Sequence, residues 1–206
     1  VSPKGYDWMR YGNGVEPVMV TIDTGALVSG PAFVHDVNGD GNEDLLITVT
    51  VTVGDFSELQ LRVAYSLGNG QFDSHDPNLG PAAGDEKAGF LTVLDSSPLA
   101  VGKINQDGWP DIVTGTHILL GKQGKSAAEP LAFDAVYQSG RLWSEAYITD
   151  LNADGTPDVV ACADGTPDID VLTGNDTVLP NPYKVSTDGT VANLRVGDFD
   201  GDLIQD

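Results

Sequence analysis

Apolar residues recur along this chain in short runs and two-residue alternations, and nowhere at the three-to-four-residue spacing of an amphipathic helix. Ala32-Phe33-Val34, Leu99-Ala100-Val101, Ala146-Tyr147-Ile148 and Leu194-Arg195-Val196 each lead into a short acidic stretch containing glycine. The first three stretches pass at once into a second apolar run: Leu45-Leu46-Ile47, Ile112-Val113 and Val159-Val160. The pattern predicts strand, tight turn, strand. Further on, Tyr65 to Phe72, Ile118 to Lys122 and Val171 to Asn175 are apolar segments running into a glycine turn. They predict a later hairpin in the same unit. The longest strand-like run, Leu45 to Val53, alternates with threonine and falls well short of the ~18 apolar residues of a membrane span.

The acidic stretches are copies of one another. Asp36-Val-Asn-Gly-Asp-Gly-Asn-Glu-Asp44, Lys103-Ile-Asn-Gln-Asp-Gly-Trp-Pro-Asp111, Asp150-Leu-Asn-Ala-Asp-Gly-Thr-Pro-Asp158 and Asp198-Phe-Asp-Gly-Asp-Leu-Ile-Gln-Asp206 start 67, 47 and 48 residues apart. That is near the blade period of a repeat protein, roughly 40 to 50 residues. The repeats lie around 30–90, 91–140, 141–185 and 186–206. Abundant Gly (25) and Pro (12) fit many turns between short strands.

Charge sharpens the picture. There are 31 acidic residues against 10 basic ones, a net −21, and the four windows hold 13 of the acids. Such a chain repels nucleic acid and anionic lipid and attracts cations. Carboxylates crowded this closely repel one another unless a cation sits among them. The single cysteine, Cys162, lies in an apolar run and reads as a small core residue. With no disulfide within the chain, metal ions are one way to hold a secreted domain together.

The windows place oxygen donors at positions 1, 3 and 5, with glycine at position 6. Alternate residues of a tight loop turn inward, so three donors converge, while glycine takes the left-handed turn and the carbonyl at position 7 faces the ion. An EF-hand would close with Glu at position 12, but Ile47 and Ala161 stand there, so the closing ligand is the Asp at position 9. Two candidate calcium sites follow: Asp36, Asn38, Asp40 and Asp44 with the carbonyl of Asn42, and Asp150, Asn152, Asp154 and Asp158 with the carbonyl of Thr156. A hard cation of flexible coordination suits them, whereas zinc or copper would want His or Cys. Asp198, Asp200, Asp202 and Asp206 form a third candidate, with Leu203 in place of the glycine. In the remaining window Lys103 replaces the first ligand, and its ammonium is expected to reach Asn105, Asp107 and Asp111 in the ion's stead.

These windows, with Ala100-Val-Gly-Lys-Ile-Asn-Gln-Asp-Gly-Trp-Pro-Asp-Ile-Val113 as the fullest example, resemble the FG-GAP and VCBS repeats of integrin α-subunit propellers and of many bacterial surface and secreted proteins. The resemblance runs from about Gly30 to the end of the sequence. It implies an all-β fold, with β-propeller blades of four-stranded antiparallel sheets and a calcium loop joining the first two strands of each. It also implies that residues 1–206 form a single, incomplete propeller region of about three and a half blades. Further blades are expected on a longer chain or a neighbouring subunit. The implied role is a calcium-stabilised extracellular or cell-surface binding or adhesion module contacting a protein or carbohydrate ligand, without nucleic acid or membrane insertion. The alternative is a non-catalytic scaffold domain of a larger secreted or cell-surface enzyme.

No catalytic residue is assigned. His35, His75 and His117 form no metal-ligating cluster, and there is no nucleophile elbow or P-loop. Asn175-Asp-Thr177 is a glycosylation sequon, and Trp8, Trp109 and Trp143 are assigned to packing rather than to stacking on sugars.

Overall fold

The computed structural model describes residues 26–68, 70–73, 89–105, 107–126, 129–174, 183–202 and 204–205. Among them the chain is all-β, with no helix. The strands are β1 (Leu27–His35), β2 (Asp44–Val53), β3 (Phe56–Ser66), β4 (Phe72–Asp73), β5 (Gly89–Leu94), β6 (Pro98–Gly102), β7 (Asp111–Thr114), β8 (His117–Ser126), β9 (Glu129–Gln138), β10 (Glu145–Thr149), β11 (Asp158–Cys162), β12 (Asp168–Leu172) and β13 (Tyr183–Ser186).

They form three antiparallel sheets, each built from consecutive strands, and no sheet closes on itself. The second has the order β6-β7-β8-β9 and the third β10-β11-β12-β13. In the first, β1, β2 and β3 pair in sequence, and the lane beyond β3 is shared by β4 and β5. The β2–β3 ladder runs unbroken to Val53↔Phe56 across the two-residue turn Gly54-Asp55, where Gly54 has φ 62°. A two-residue hairpin needs that left-handed backbone.

The first strands of successive sheets are neighbours, with β6 lying against both β1 and β10. His35 Nε2–H, at the end of β1, donates to the Val101 carbonyl near the end of β6 at 2.9 Å. Gly102, ending β6, faces Ile148 near the end of β10. The three strands therefore run the same way, and the acidic loops that follow them emerge at one end of the molecule. The second-to-third-strand hairpins and the inter-sheet connections emerge at the other.

Alternation along the central strands explains the core. Ile112 of β7 packs with Leu46, Leu61, Val63 and Tyr65 of the first sheet. Its neighbour Val113 faces the other way, with Val159, Ala161 and Leu172 of the third. Val160 and Cys162 in turn face Val191 and Leu194, beyond β13. Both faces of β7 and β11 are covered, so these strands read as continuous apolar runs. Each fully buried Val, Leu or Ile contributes about 1.5–3 kcal/mol. Trp143 is also core: it is 2% exposed and stacks on Tyr137, with ring centroids 5.9 Å apart. Trp109 is half-buried against the first cluster, while Trp8, His75, the sequon at Asn175 and the segment Val18 to Ile22 lie outside the described residues.

Candidate functional site

The four acidic loops share one hydrogen-bond ladder. In the first, Asn38 Oδ1 accepts the Asp40 N–H (3.0 Å) and Asp40 Oδ1 accepts the Asn42 N–H (2.7 Å). In the third, Asn152 Oδ1 accepts from Asp154 (2.9 Å) and Asp154 Oδ1 from Thr156 (2.8 Å). Asn105 and Asp107 do the same in the second loop, with Trp109 last, and Asp200 and Asp202 in the fourth, with Ile204 last. A short polar side chain bonded to the N–H two residues on is an Asx turn. Two such turns in series, at positions 3 and 5, roll the chain back toward position 1.

Position 1 closes the roll. Asp36 receives the N–H groups of Gly39 (2.7 Å) and Gly41 (2.9 Å), and Asp150 receives those of Asp154 (3.2 Å) and Gly155 (2.8 Å). Asp198 receives Gly201 N–H at 2.6 Å. Glycine at position 6 is left-handed wherever it is described: Gly41, Gly108 and Gly155 have φ of 85°, 93° and 86°. Position 4 is left-handed as well, at Gly39 (77°), Gly201 (85°) and Ala153 (57°). The sequence analysis does not assign that second turn, although small residues at position 4 in three of the four windows signal it.

The donor sets fit a hard cation. Carboxylate oxygens of Asp198, Asp200 and Asp202 all lie within 4.8 Å of one another, about the span of oxygens facing each other across a calcium ion at roughly 2.3–2.6 Å. Asp36, Asn38 and Asp40, and likewise Asp150, Asn152 and Asp154, occupy the same positions 1, 3 and 5, but the carboxylates of Asp36, Asp40 and Asp44, and those of Asp150, Asp154 and Asp158, do not converge as closely. Asn42 and Thr156, whose carbonyls the sequence assigns to the ion, end it. The Asp154 carboxyl is held below its ordinary range by the Thr156 N–H and then by the Asn152 amide, which keeps it anionic. Leu203 and Asp206 lie outside the described residues.

The Asp at position 9 has a second task. Asp44, Asp111 and Asp158 are completely buried. Oδ2 of each accepts the N–H of position 2, from Val37 (2.9 Å), Ile104 (2.6 Å) and Leu151 (2.9 Å). Oδ1 accepts an N–H from the paired third strand or just past it, from Ser66 at the end of β3, Gly121 within β8 and Gly174 two residues beyond β12, each at 2.8 Å. Each carboxylate thus staples its loop to the strand two places away. Burial pushes Asp44 and Asp111 up to about 6 despite these bonds, and at Asp44 the charges of Asp40 and Asp36 add to the rise.

Lys103 does not take the place of an ion. It is exposed and makes no ion pair with Asp107 or Asp111, and Asp111 is enclosed by the N–H groups of Ile104, Asn105 and Gly121. The second loop keeps its shape by the ladder and the staple alone.

Two polar clusters join the sheets at the opposite end. Asp95, following β5, bonds to Thr114, Thr116 and His117 of the β7–β8 turn, and these bonds outweigh desolvation in lowering its pKa. Arg141, ahead of β10, reaches Asp170 Oδ2 (2.9 Å) and the Asp168 carbonyl (3.0 Å), and Trp143 Nε1–H donates to the same Asp170 oxygen at 2.7 Å. Neither cluster carries a sequence signature, because its members lie about 20 to 30 residues apart with nothing local to mark the pairing. The chain matches no protein-family model, and comparison with curated proteins and solved structures finds no match.

Proposed function

We propose that this chain is part of an extracellular, calcium-stabilised β-propeller of the FG-GAP/VCBS type that serves as a binding or adhesion module for a protein or glycan. The observation that carries the reading is the shared ladder of the four acidic loops, set at one end of consecutive antiparallel sheets whose first strands stand side by side. That placement is what a ring of blades around an axis would need. Asp36, Asn38, Asp40 and the Asn42 carbonyl would hold one calcium ion, and Asp150, Asn152, Asp154 and the Thr156 carbonyl a second. Asp198, Asp200 and Asp202 supply a third donor set. The ion would neutralise like charges that now face one another and so favour the folded loops. Asp44 and Asp158 would be shared between the ion and the backbone, since an oxygen that accepts one N–H keeps a further lone pair.

Calorimetric titration tests this. Calcium should bind at two or three sites and raise the melting temperature. The gain corresponds to about 2.7 kcal/mol at a hundredfold excess over Kd. Asp40→Asn and Asp154→Asn should each remove one site, and Lys103→Asp should add one. Melts that superimpose in calcium and in chelator would sink the proposal.

A further inference from the structure

A cavity of about 480 Å³ opens at the end of the molecule opposite the acidic loops, between the second and third sheets. Ser96, Ser97, Leu99, Leu142, Ser144 and Asp164 are among the residues that line it. Its position follows from the topology: the connections into β6 and β10 meet the β7–β8 and β11–β12 turns there. Backbone bonds fix the frame. Gly115 donates to the Ser97 carbonyl at 3.3 Å, Trp143 to the Gly115 carbonyl at 2.7 Å, and Ser144 to the Cys162 carbonyl at 2.8 Å.

The lining has a definite chemistry. Leu142 is 66% exposed and Leu99 half-buried. Ser144 Oγ–H donates to Asp164 Oδ1 at 2.8 Å, while Asp164, itself exposed, makes no bond through Oδ2 to a described residue. No cationic side chain lines the cavity. Arg141, next to Leu142, is turned away into Asp170 and Asp168, and Arg195, in the adjoining cavity past Leu99 and Ser144, is paired with Glu145 at 3.3 Å. Asp95 adds a further negative charge behind Ser96. On a chain of net charge −21, an anionic ligand is excluded here.

We propose that this cavity takes a lysine side chain of an extended protein partner, its aliphatic stem on Leu142 and Leu99 and its ammonium on Asp164, with the Ser96 and Ser97 hydroxyls as further acceptors. A stem of four methylenes with a charged head matches a lining that combines Leu99 and Leu142 with one exposed carboxylate. This rests on the reading of the chain as a binding module and names the partner's chemistry at one place. It is independent of calcium, because no cavity residue belongs to an acidic loop.

The test is a titration of the calcium-saturated protein, followed by NMR chemical shifts, with the methylamides of Nα-acetyl-lysine, Nα-acetyl-norleucine and Nα,Nε-diacetyl-lysine. The lysine compound should bind in the millimolar range. The two uncharged compounds, and the lysine compound on Asp164→Asn, should bind about three- to fivefold more weakly, as for a solvent-accessible ion pair. Asp55→Asn, on the distant β2–β3 turn, should leave binding unchanged. Equal binding of lysine and norleucine compounds, no effect of Asp164→Asn in a variant with an unchanged melt, or no binding of any probe would overturn the cavity's assignment altogether. The calcium titration above would stand in each case.

Discussion

Gly121 donates its N–H to Asp111 Oδ1 across 2.8 Å, inside a site closed to solvent and ten residues away in sequence. The same carboxylate holds Ile104 and Asn105 from the loop side. Asp111 therefore anchors its loop to β8 in a repeat where Lys103 has removed the first metal ligand.

Asp111→Asn should destabilise the fold with chelator present. One face of the amide is a donor and would confront a backbone N–H that has no other partner, a loss of about 1–3 kcal/mol. Asp107→Asn, at an exposed position that keeps its accepting oxygen, should cost far less. Thermal melts of the two variants make the comparison, and equal melting temperatures would show that the staple carries no stability.

The raised pKa values give a pH dependence with a definite sign. Asp44 and Asp111 sit at about 6 in the folded chain, against an ordinary value of 3.8. Between those values the folded state binds more protons than the unfolded one, so stability falls as pH rises through that window. The loss is on the order of 3 kcal/mol per group by pH 7. In chelator, urea melts should give greater stability near pH 5 than near pH 7 from these two groups. Calcium in the first loop should cancel the part due to Asp44 and leave that due to Asp111. A chelator profile that rises toward pH 7 in wild type but not in Asp44→Asn/Asp111→Asn would contradict the assignment.

Ala153 is the one non-glycine residue with positive φ among the described residues. Its left-handed backbone costs about 1–2 kcal/mol, and glycine would remove that strain while adding somewhat less in unfolded-state entropy. Ala153→Gly should raise the melting temperature by about 1–2 °C, and Ala153→Val should lower it. If the glycine variant melts lower, Ala153 is not strained.

Gly121→Ala and Gly174→Ala should both be severe. A Cβ at Gly121 would stand 2.2 Å from the Pro110 carbonyl oxygen, and one at Gly174 2.1 Å from that of Pro157. Neither obstacle is a movable side chain, so the third strand must shift away from the staple. A loss of more than ~2 kcal/mol in denaturant melts is expected. Gly140→Ala, with nothing within 4 Å of the new Cβ, is the control.

The strands around the acidic windows were legible because short apolar runs and turn residues act locally. The inward donors were legible because Asx turns depend on neighbours two residues away, as at Asn38 and Asp40. The second role of Asp158 was not, since its partner Gly174 lies sixteen residues on and nothing local marks the pair. Lys103 misled for a related reason: a cation beside carboxylates in sequence suggests an ion pair, but burial had already committed Asp111 to the backbone. The Arg141–Asp170 bridge links residues 29 apart within one repeat, and a repeat pattern marks what its copies share, not a contact peculiar to one of them.

Two buried clusters span consecutive sheets, Ile112 with the first and Val113 with the third; another joins Val160 to the segment beyond β13, and a fourth, around Ile47 and Val49, stays within the first sheet. Stability in such an array is a sum of intrinsic unit terms and nearest-neighbour couplings. Damage to one interface is felt by the two units that share it and fades beyond them. Amide exchange resolved by residue would then be slowest in β7 and β11, each covered on both faces, and faster in the strands that border only one neighbour.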